Sequence, residues 1–214
     1  WFGNDDQRAM RKRFDARLNT LENRMLLLKS DGSAVDQAAS LVMTAREEGH
    51  RDPSWGMRLL DEAEEDIERS LSLAGDVEAI KEDSLNAVNA AEEIAPVAKR
   101  PRKAWDMGQR EVELGSLREG EALFRQAKKR AQEVIEWWGK AEEAIRIGSA
   151  LLAKSPHSQA SMEELLSDAR KKLYAEKPKK AYEFAMVIPD QLSASDDAMI
   201  VAEESVNEAA RQLK

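Results

Sequence analysis

The chain has no cysteine, and only 10 glycines, 6 prolines and 5% aromatic residues among its 214 positions. Without cysteine, the sequence excludes disulfides, cysteine-ligated zinc, iron–sulfur clusters and thiol catalysis. No apolar run approaches the roughly 18 residues that a membrane-spanning helix requires. Apolar–polar alternation is not sustained anywhere, so nothing predicts β-strands. The high proportion of charged residues, 35%, instead favours long solvated helices.

The charge balance is acidic, with 33 lysines and arginines against 41 aspartates and glutamates and a net charge of −8. This balance argues against a general nucleic-acid binder and against adsorption to an anionic membrane. The lack of cysteine, and of a signal or membrane segment in this stretch, favours a cytoplasmic location. The sequence begins at Trp1 rather than Met, so we expect a processed or excised fragment.

One stretch, residues 117–152, carries apolar and small residues at alternating steps of three and four. This spacing averages 3.5 residues per turn, which predicts a long helix that winds slightly left-handed around its neighbours. The helix would be on the order of 55 Å long. The seam residues are Leu117, Gly120, Phe124, Ala127, Ala131, Val134, Trp138, Ala141, Ile145, Gly148 and Leu152.

The same reasoning predicts four helices before this one. The first covers residues 5–29 and has a clean heptad seam, and Gly32 suits the left-handed conformation after its end. A second covers residues 33–48. A third begins at Pro53 and stays in phase through Gly75, and a fourth runs over residues 102–114. The heptad residues of the first helix are Phe14, Leu18, Leu21, Met25 and Leu28.

Beyond the long helix, capping and proline signals predict three further helices. Ser161 with Glu164 has the spacing of a capping box, and Pro178 suits the first position of the next helix. Pro189 is expected to bend or end that helix, and residues 195–197 are expected to cap the last one. The seam of this last helix is Met199, Ala202, Val206, Ala209 and Leu213.

The turns indicate a threefold internal repeat. Arg46, Arg110 and Arg170 each precede a turn, and they lie 64 and 60 residues apart. A repeat of about 62 residues is typical of proteins whose units stack on one another, because one unit cannot bury its apolar face alone. The predicted segments are a heptad helix at 1–32 and repeats at 33–98, 99–155 and 156–214, all within one continuous elongated domain.

Residues 163–173 with 179–185, and residues 115–124, resemble helical hairpins of uncharacterised archaeal coiled-coil proteins with tetratricopeptide-like repeats. The long seams are also similar to those of spectrin-type bundles. The resemblance implies scaffolding or spacing and brings no catalytic residues. We therefore predict an all-α fold, an elongated antiparallel arrangement of long helices that is spectrin-like or solenoid-like.

Two basic and aromatic features are candidates for an interaction surface. The cluster Lys99, Arg100, Arg102 and Lys103, followed by Trp105, could hold phosphates or an acidic protein surface, or could be a solvated connector. Lysines and an arginine at 128–130 add positive charge on the long helix. The second aromatic feature is the pair at positions 137 and 138. Trp138 lies on the seam, whereas Trp137 either packs on a third helix or forms part of a contact surface.

Metal chemistry has one candidate. Glu47 and His50 are three residues apart, a spacing used by di-iron carboxylate bundles, which need a second such pair. The other histidine, His157, follows a proline in a predicted loop. His50 is equally explained as a polar residue near the positive-charge-favouring end of a helix.

No phosphate-binding glycine loop, nucleophile elbow or Ser/His/Asp set is present, so we predict no enzyme activity and no cofactor. The leading hypothesis is a structural or scaffolding module that binds other proteins, with homo-oligomer formation through the first helix. A phosphate- or nucleic-acid-associated protein using Lys99, Arg100, Arg102 and Lys103 is the alternative. A metal-binding bundle using Glu47 and His50 is a second alternative.

Overall fold

A computed structural model describes residues 2–155 and 160–212. In this part of the chain it contains seven α-helices and no β-strand, which confirms the all-α prediction. The predicted His157 loop and seam residue Leu213 lie outside the described residues. The helices are α1 (Phe2–Ser30), α2 (Asp36–Glu48), α3 (Pro53–Ile94), α4 (Arg100–Glu113), α5 (Leu117–Lys154), α6 (Ala160–Tyr174) and α7 (Pro178–Gln212).

The seam predicted over residues 117–152 is the buried face of α5. Nine of its eleven residues are buried, and only Leu117 and Ile145 are half-buried. Helix α3 passes without a break through Gly75, and α5 through Gly139. Periodicity therefore predicted these two long helices correctly, because the apolar face of each is covered along most of its length.

Contacts divide the chain into two units. The first contains the residues up to Ile80 together with Gln109–Glu121, and the second contains Lys81–Gly108 and the residues from Ala122 onward. The four segments predicted from the repeat stay a prediction. The core of the first unit combines α1, α2 and the early part of α3, and its buried residues are Phe14, Leu18, Leu21, Met25, Val35, Ala38, Val42, Ala45, Leu59, Leu60, Ala63 and Ile67.

The Phe14 ring occupies a notch that two glycines leave open. A Cβ on Gly56 would lie 2.5 Å from Phe14 Cε2 and 2.8 Å from Gly49 Cα, and a Cβ on Gly49 would overlap the Phe14 ring. His50 packs against this ring edge-on, with ring centroids 5.9 Å apart. Glycine at positions 49 and 56 thus lets the end of α2 and the start of α3 approach α1 closely.

The second unit holds two further cores of the same composition. The first of them combines the late part of α3, helix α4 and the early part of α5, around Val88, Ala104, Ala131 and Trp138. The other combines the late part of α5, helix α6 and the early part of α7. Its buried residues are Ala144, Leu152, Met162, Leu166, Ala169, Ala185, Ile188 and Leu192.

Two predicted boundaries in the C-terminal part are wrong. Helix α7 neither ends at Pro189 nor restarts at 195–197, because it runs unbroken over Pro178–Gln212. Ile188 and Leu192, on either side of the proline, are buried in one core, and this packing outweighs the backbone hydrogen bond that proline removes. Ser161 is likewise not a cap, because α6 already includes Ala160.

Candidate functional site

Three helices end in the same hydrogen-bond pattern, and the third of them differs in one residue. At Gly32, Gly115 and Glu176 the N–H donates to the carbonyl three residues earlier, and the next N–H donates to the carbonyl five residues before it. This pattern requires a left-handed residue, which is usually glycine. Gly32 and Gly115 have φ of 77° and 86°, as expected, but Glu176 adopts φ 57° with a side chain present.

The Glu176 carboxylate explains why a non-glycine residue is used. Its two oxygens accept the backbone N–H groups of Lys99, at 2.6 Å, and Arg100, at 2.7 Å. These N–H groups stand at the start of α4, where backbone donors have no partner within the helix and negative charge is favourable. Glu176 therefore caps α4 from the turn between α6 and α7, at a backbone cost of about 1–2 kcal/mol.

Beside this cap lies an open cleft of about 310 Å³. Five cationic side chains line it, and they come from three places in the chain: the start of α4, the middle of α5 and the α6–α7 turn. Two carboxylates, Glu133 and Glu176, share the cleft, and the second of these already holds α4. The cations are Arg100, Lys129, Arg130, Lys177 and Lys180.

Arg130 is the most constrained of these cations. Its side chain is half-buried, and it forms no hydrogen bond or salt bridge with a residue in the described ranges. Burial lowers the pKa of Arg130, and the charge of Arg100 lowers the same pKa further, while Glu176 partly offsets both effects. The protein thus holds two arginines near each other without enough negative charge to balance them.

The predicted basic cluster separates into different environments. Arg102 makes a bidentate pair with Glu92, at 2.9 and 2.8 Å, and donates to Asn89 at 2.6 Å. Trp105 donates its indole N–H to the carbonyl of Lys81 at 3.1 Å. Both side chains are therefore used inside the second unit.

The remaining cluster members differ in exposure. Lys99 and Lys103 are exposed, whereas Arg100 is half-buried in the cleft and donates to the Ala175 carbonyl at 3.4 Å. Of the four predicted cations, only Arg100 lines the cleft.

Trp137 packs on a third helix, one of the two alternatives that the sequence left open. Its ring lies 5.3 Å from the Tyr182 ring of α7, and the ammonium groups of Lys140 and Lys179 lie 4.5 and 5.7 Å from its centroid. Such cation–π contacts stabilise the packing of a half-buried tryptophan. Trp138 is 5% exposed and belongs to the core, as its seam position predicted.

The metal hypothesis gains no support from the described ranges. Glu47 and His50 are both exposed, and the nearest charged partner of His50 is Asp15, with Nδ1 3.7 Å from Oδ1. Over residues 2–155 and 160–212, no three histidine, aspartate or glutamate side chains come together as metal ligands would.

A second notable surface is the outer part of α7. Met199, Ala202, Val206 and Ala209 lie 21, 24, 28 and 31 residues after the first residue of α7. In α5 the same distances from the helix start are those of the inward-facing seam residues Trp138, Ala141, Ile145 and Gly148. In α7 this face is uncovered: Met199 is 37% exposed and Val206 68% exposed.

None of the described helices is both long and apolar enough to cross a lipid bilayer. Comparison of the chain with family models, curated proteins and solved structures finds no match.

Proposed function

We propose that this chain is a non-catalytic helical spacer and docking module that binds other proteins along the outer part of α7. The observation that carries the proposal is the repeated way in which cores are built. Each of the three cores combines a preceding helix segment, a short helix and the early part of the next long helix. The outer part of α7 has the seam of such a preceding segment but no partners within the described residues.

The chemistry of the expected partner follows from this face. An apolar seam with alanines at two of four positions suits close packing against another helix. The same stretch is acidic, which favours partner helices with basic flanks over a second copy of the same stretch. Its acidic residues are Asp196, Asp197, Glu203, Glu204 and Glu208, against a single base, Arg211.

The first helix offers a different surface for self-association. Its heptad residues are buried within the first unit, so they are already covered by α2 and α3. A homo-oligomer through α1 would have to use the opposite side, where Leu26 and Leu27 are 68% and 67% exposed. Homo-oligomer formation stays a prediction.

Site-specific photocrosslinking tests the docking function. A photoreactive amino acid replaces Val206 on the seam or Glu204, two residues away and so about 200° around the same helix. In the source cells, the Val206 position should give discrete adducts with other proteins, and the Glu204 position should not. Adducts of equal yield at both positions, or none at Val206, would contradict the proposal. Purified chain crosslinked alone identifies any adduct with a second copy.

A further inference from the structure

We propose that the cleft beside the α4 cap is a binding site for a small anion with two or three phosphate groups. This inference goes beyond protein docking and does not depend on it, since the cleft and the outer part of α7 share no residue. It rests on the convergence of five cations from three separate segments of the second unit, with one carboxylate already committed to another contact.

The size of the cleft sets the class of ligand. At about 310 Å³ it lies at the lower end of the roughly 300–1,000 Å³ usual for small-ligand pockets. A pocket of this size accommodates a short chain of phosphates rather than a folded macromolecule. The net charge of −8 on the chain also disfavours a nucleic acid, which a broad basic face would hold better.

The charges in the cleft match the charge pattern of such an anion. Arg130 and Arg100 present guanidinium groups, whose fixed donors suit phosphate oxygens. Lys129, Lys177 and Lys180 are exposed and make no contact with a carboxylate of the described residues, so they are free to close on a ligand. A bound oligophosphate would supply the negative charge that the two arginines lack.

Arg130 provides the strongest argument against a purely structural role for the cluster. A structural arginine normally makes an ion pair or donates to carbonyl groups, as Arg102 does with Glu92. Arg130 is desolvated by its surroundings and repelled by Arg100, and it gains no compensating hydrogen bond from the described residues. Removing its charge should therefore leave the fold intact, which makes it a clean target for mutagenesis.

Calorimetric titration of the whole chain with tripolyphosphate tests the proposal. The cleft variant is Arg130→Gln with Lys180→Gln. The matched control is Lys99→Gln with Lys103→Gln, which removes the same charge from exposed positions outside the cleft. Wild type should bind, the cleft variant should lose about tenfold or more in affinity, and the control should keep its affinity within about twofold.

A second arm separates the sources of phosphate. Sedimentation with phosphatidylcholine vesicles, with and without a phosphoinositide, reports a lipid headgroup, whereas the titration reports a free anion. Binding in either arm supports the site if the cleft variant loses it. Equal losses in the cleft and control variants, or no binding by wild type in both arms, would overturn the proposal.

Two additions guard the result. Lys129→Gln with Lys180→Gln alters only exposed side chains, so a loss of binding in this variant cannot be ascribed to unfolding. Its melting temperature should equal that of wild type. A single-stranded oligonucleotide that binds through Lys99 and Lys103 instead would overturn the proposal in favour of a surface on the α4 connector.

Discussion

The carboxylate of Glu176 accepts the backbone N–H of Arg100 at 2.7 Å, and this contact joins the α6–α7 turn to the first residue of α4. The two residues are 76 positions apart in sequence. Glu176 has to adopt a left-handed conformation to reach Arg100, and the same contact places Arg100 at the edge of the basic cleft. One strained residue thus positions both a helix and the candidate binding site.

Substitutions of Glu176 should separate its strain from its contact. Glu176→Ala keeps the left-handed strain and loses the cap, so we expect a loss of about 1–2 kcal/mol in the free energy of unfolding. Glu176→Gly loses the same cap but relieves the strain, so it should be more stable than the alanine variant by about 1 kcal/mol. Urea denaturation measures both. An alanine variant as stable as the glycine variant would contradict this account of the turn.

Glycines in two environments should respond to alanine in opposite directions. Gly49→Ala and Gly56→Ala put a methyl group into the Phe14 ring, so each should destabilise the chain by about 1–3 kcal/mol. Gly75→Ala is the matched control, because nothing lies within 4 Å of its added Cβ. That variant should gain up to about 1 kcal/mol from helix propensity. Thermal unfolding followed by circular dichroism would report three equal shifts if the notch did not exist.

The Arg102–Glu92 pair should make stability depend on acid. The hydrogen bond from Arg102 lowers the pKa of Glu92 below its ordinary 4.5, against an opposing effect of burial. A lowered pKa adds stability above pH 4.5 that disappears as pH falls through the folded-state value. Arg102→Gln should therefore cost about 1 kcal/mol at pH 7 and little at pH 3.

Urea midpoints at the two pH values measure this difference. Arg146→Gln is the control, because its pair with Glu143 is fully exposed and should leave the midpoints unchanged. A cost for Arg102→Gln that did not shrink in acid would mean that Arg102 acts through packing on Trp105 rather than through the carboxylate.

The seams of α5 and α7 should tolerate charge differently at equivalent positions. Ile145 packs against two cores, so Ile145→Asp should cost about 3 kcal/mol or more. Val206 occupies the same register in α7 but is 68% exposed, so Val206→Asp should change stability by about 0.5 kcal/mol at most. Comparable losses in the two variants would show that the α7 seam is covered within the chain.

Much of the fold was predictable because helical periodicity is a local signal. The seam of α5, the start of α3 at Pro53 and the left-handed Gly32 all follow from neighbouring residues. Pro189 was misread for the same reason. Local chemistry predicts a break there, whereas distant packing of Ile188 holds the helix together.

The candidate site was less predictable because it depends on tertiary contacts. The basic run at 99–103 was visible, but only Arg100 faces the cleft, and Arg102 is satisfied by Glu92. Nothing local marks Lys177 and Lys180 as neighbours of Arg130. The one signal was Glu176 at a helix end where glycine stands in two other turns, and its meaning depends on backbone donors 76 and 77 residues away.

Hydrogen exchange across α5 and α7 tests the central claim most directly, namely that a seam used inside the chain in α5 faces outward in α7. Amides of residues 196–209 in the isolated chain should exchange far faster than those of residues 138–152, because unpaired helix segments open locally. Binding of a protein captured through Val206 should slow exchange in residues 196–209 alone. Equal protection of both segments in the isolated chain would contradict the claim.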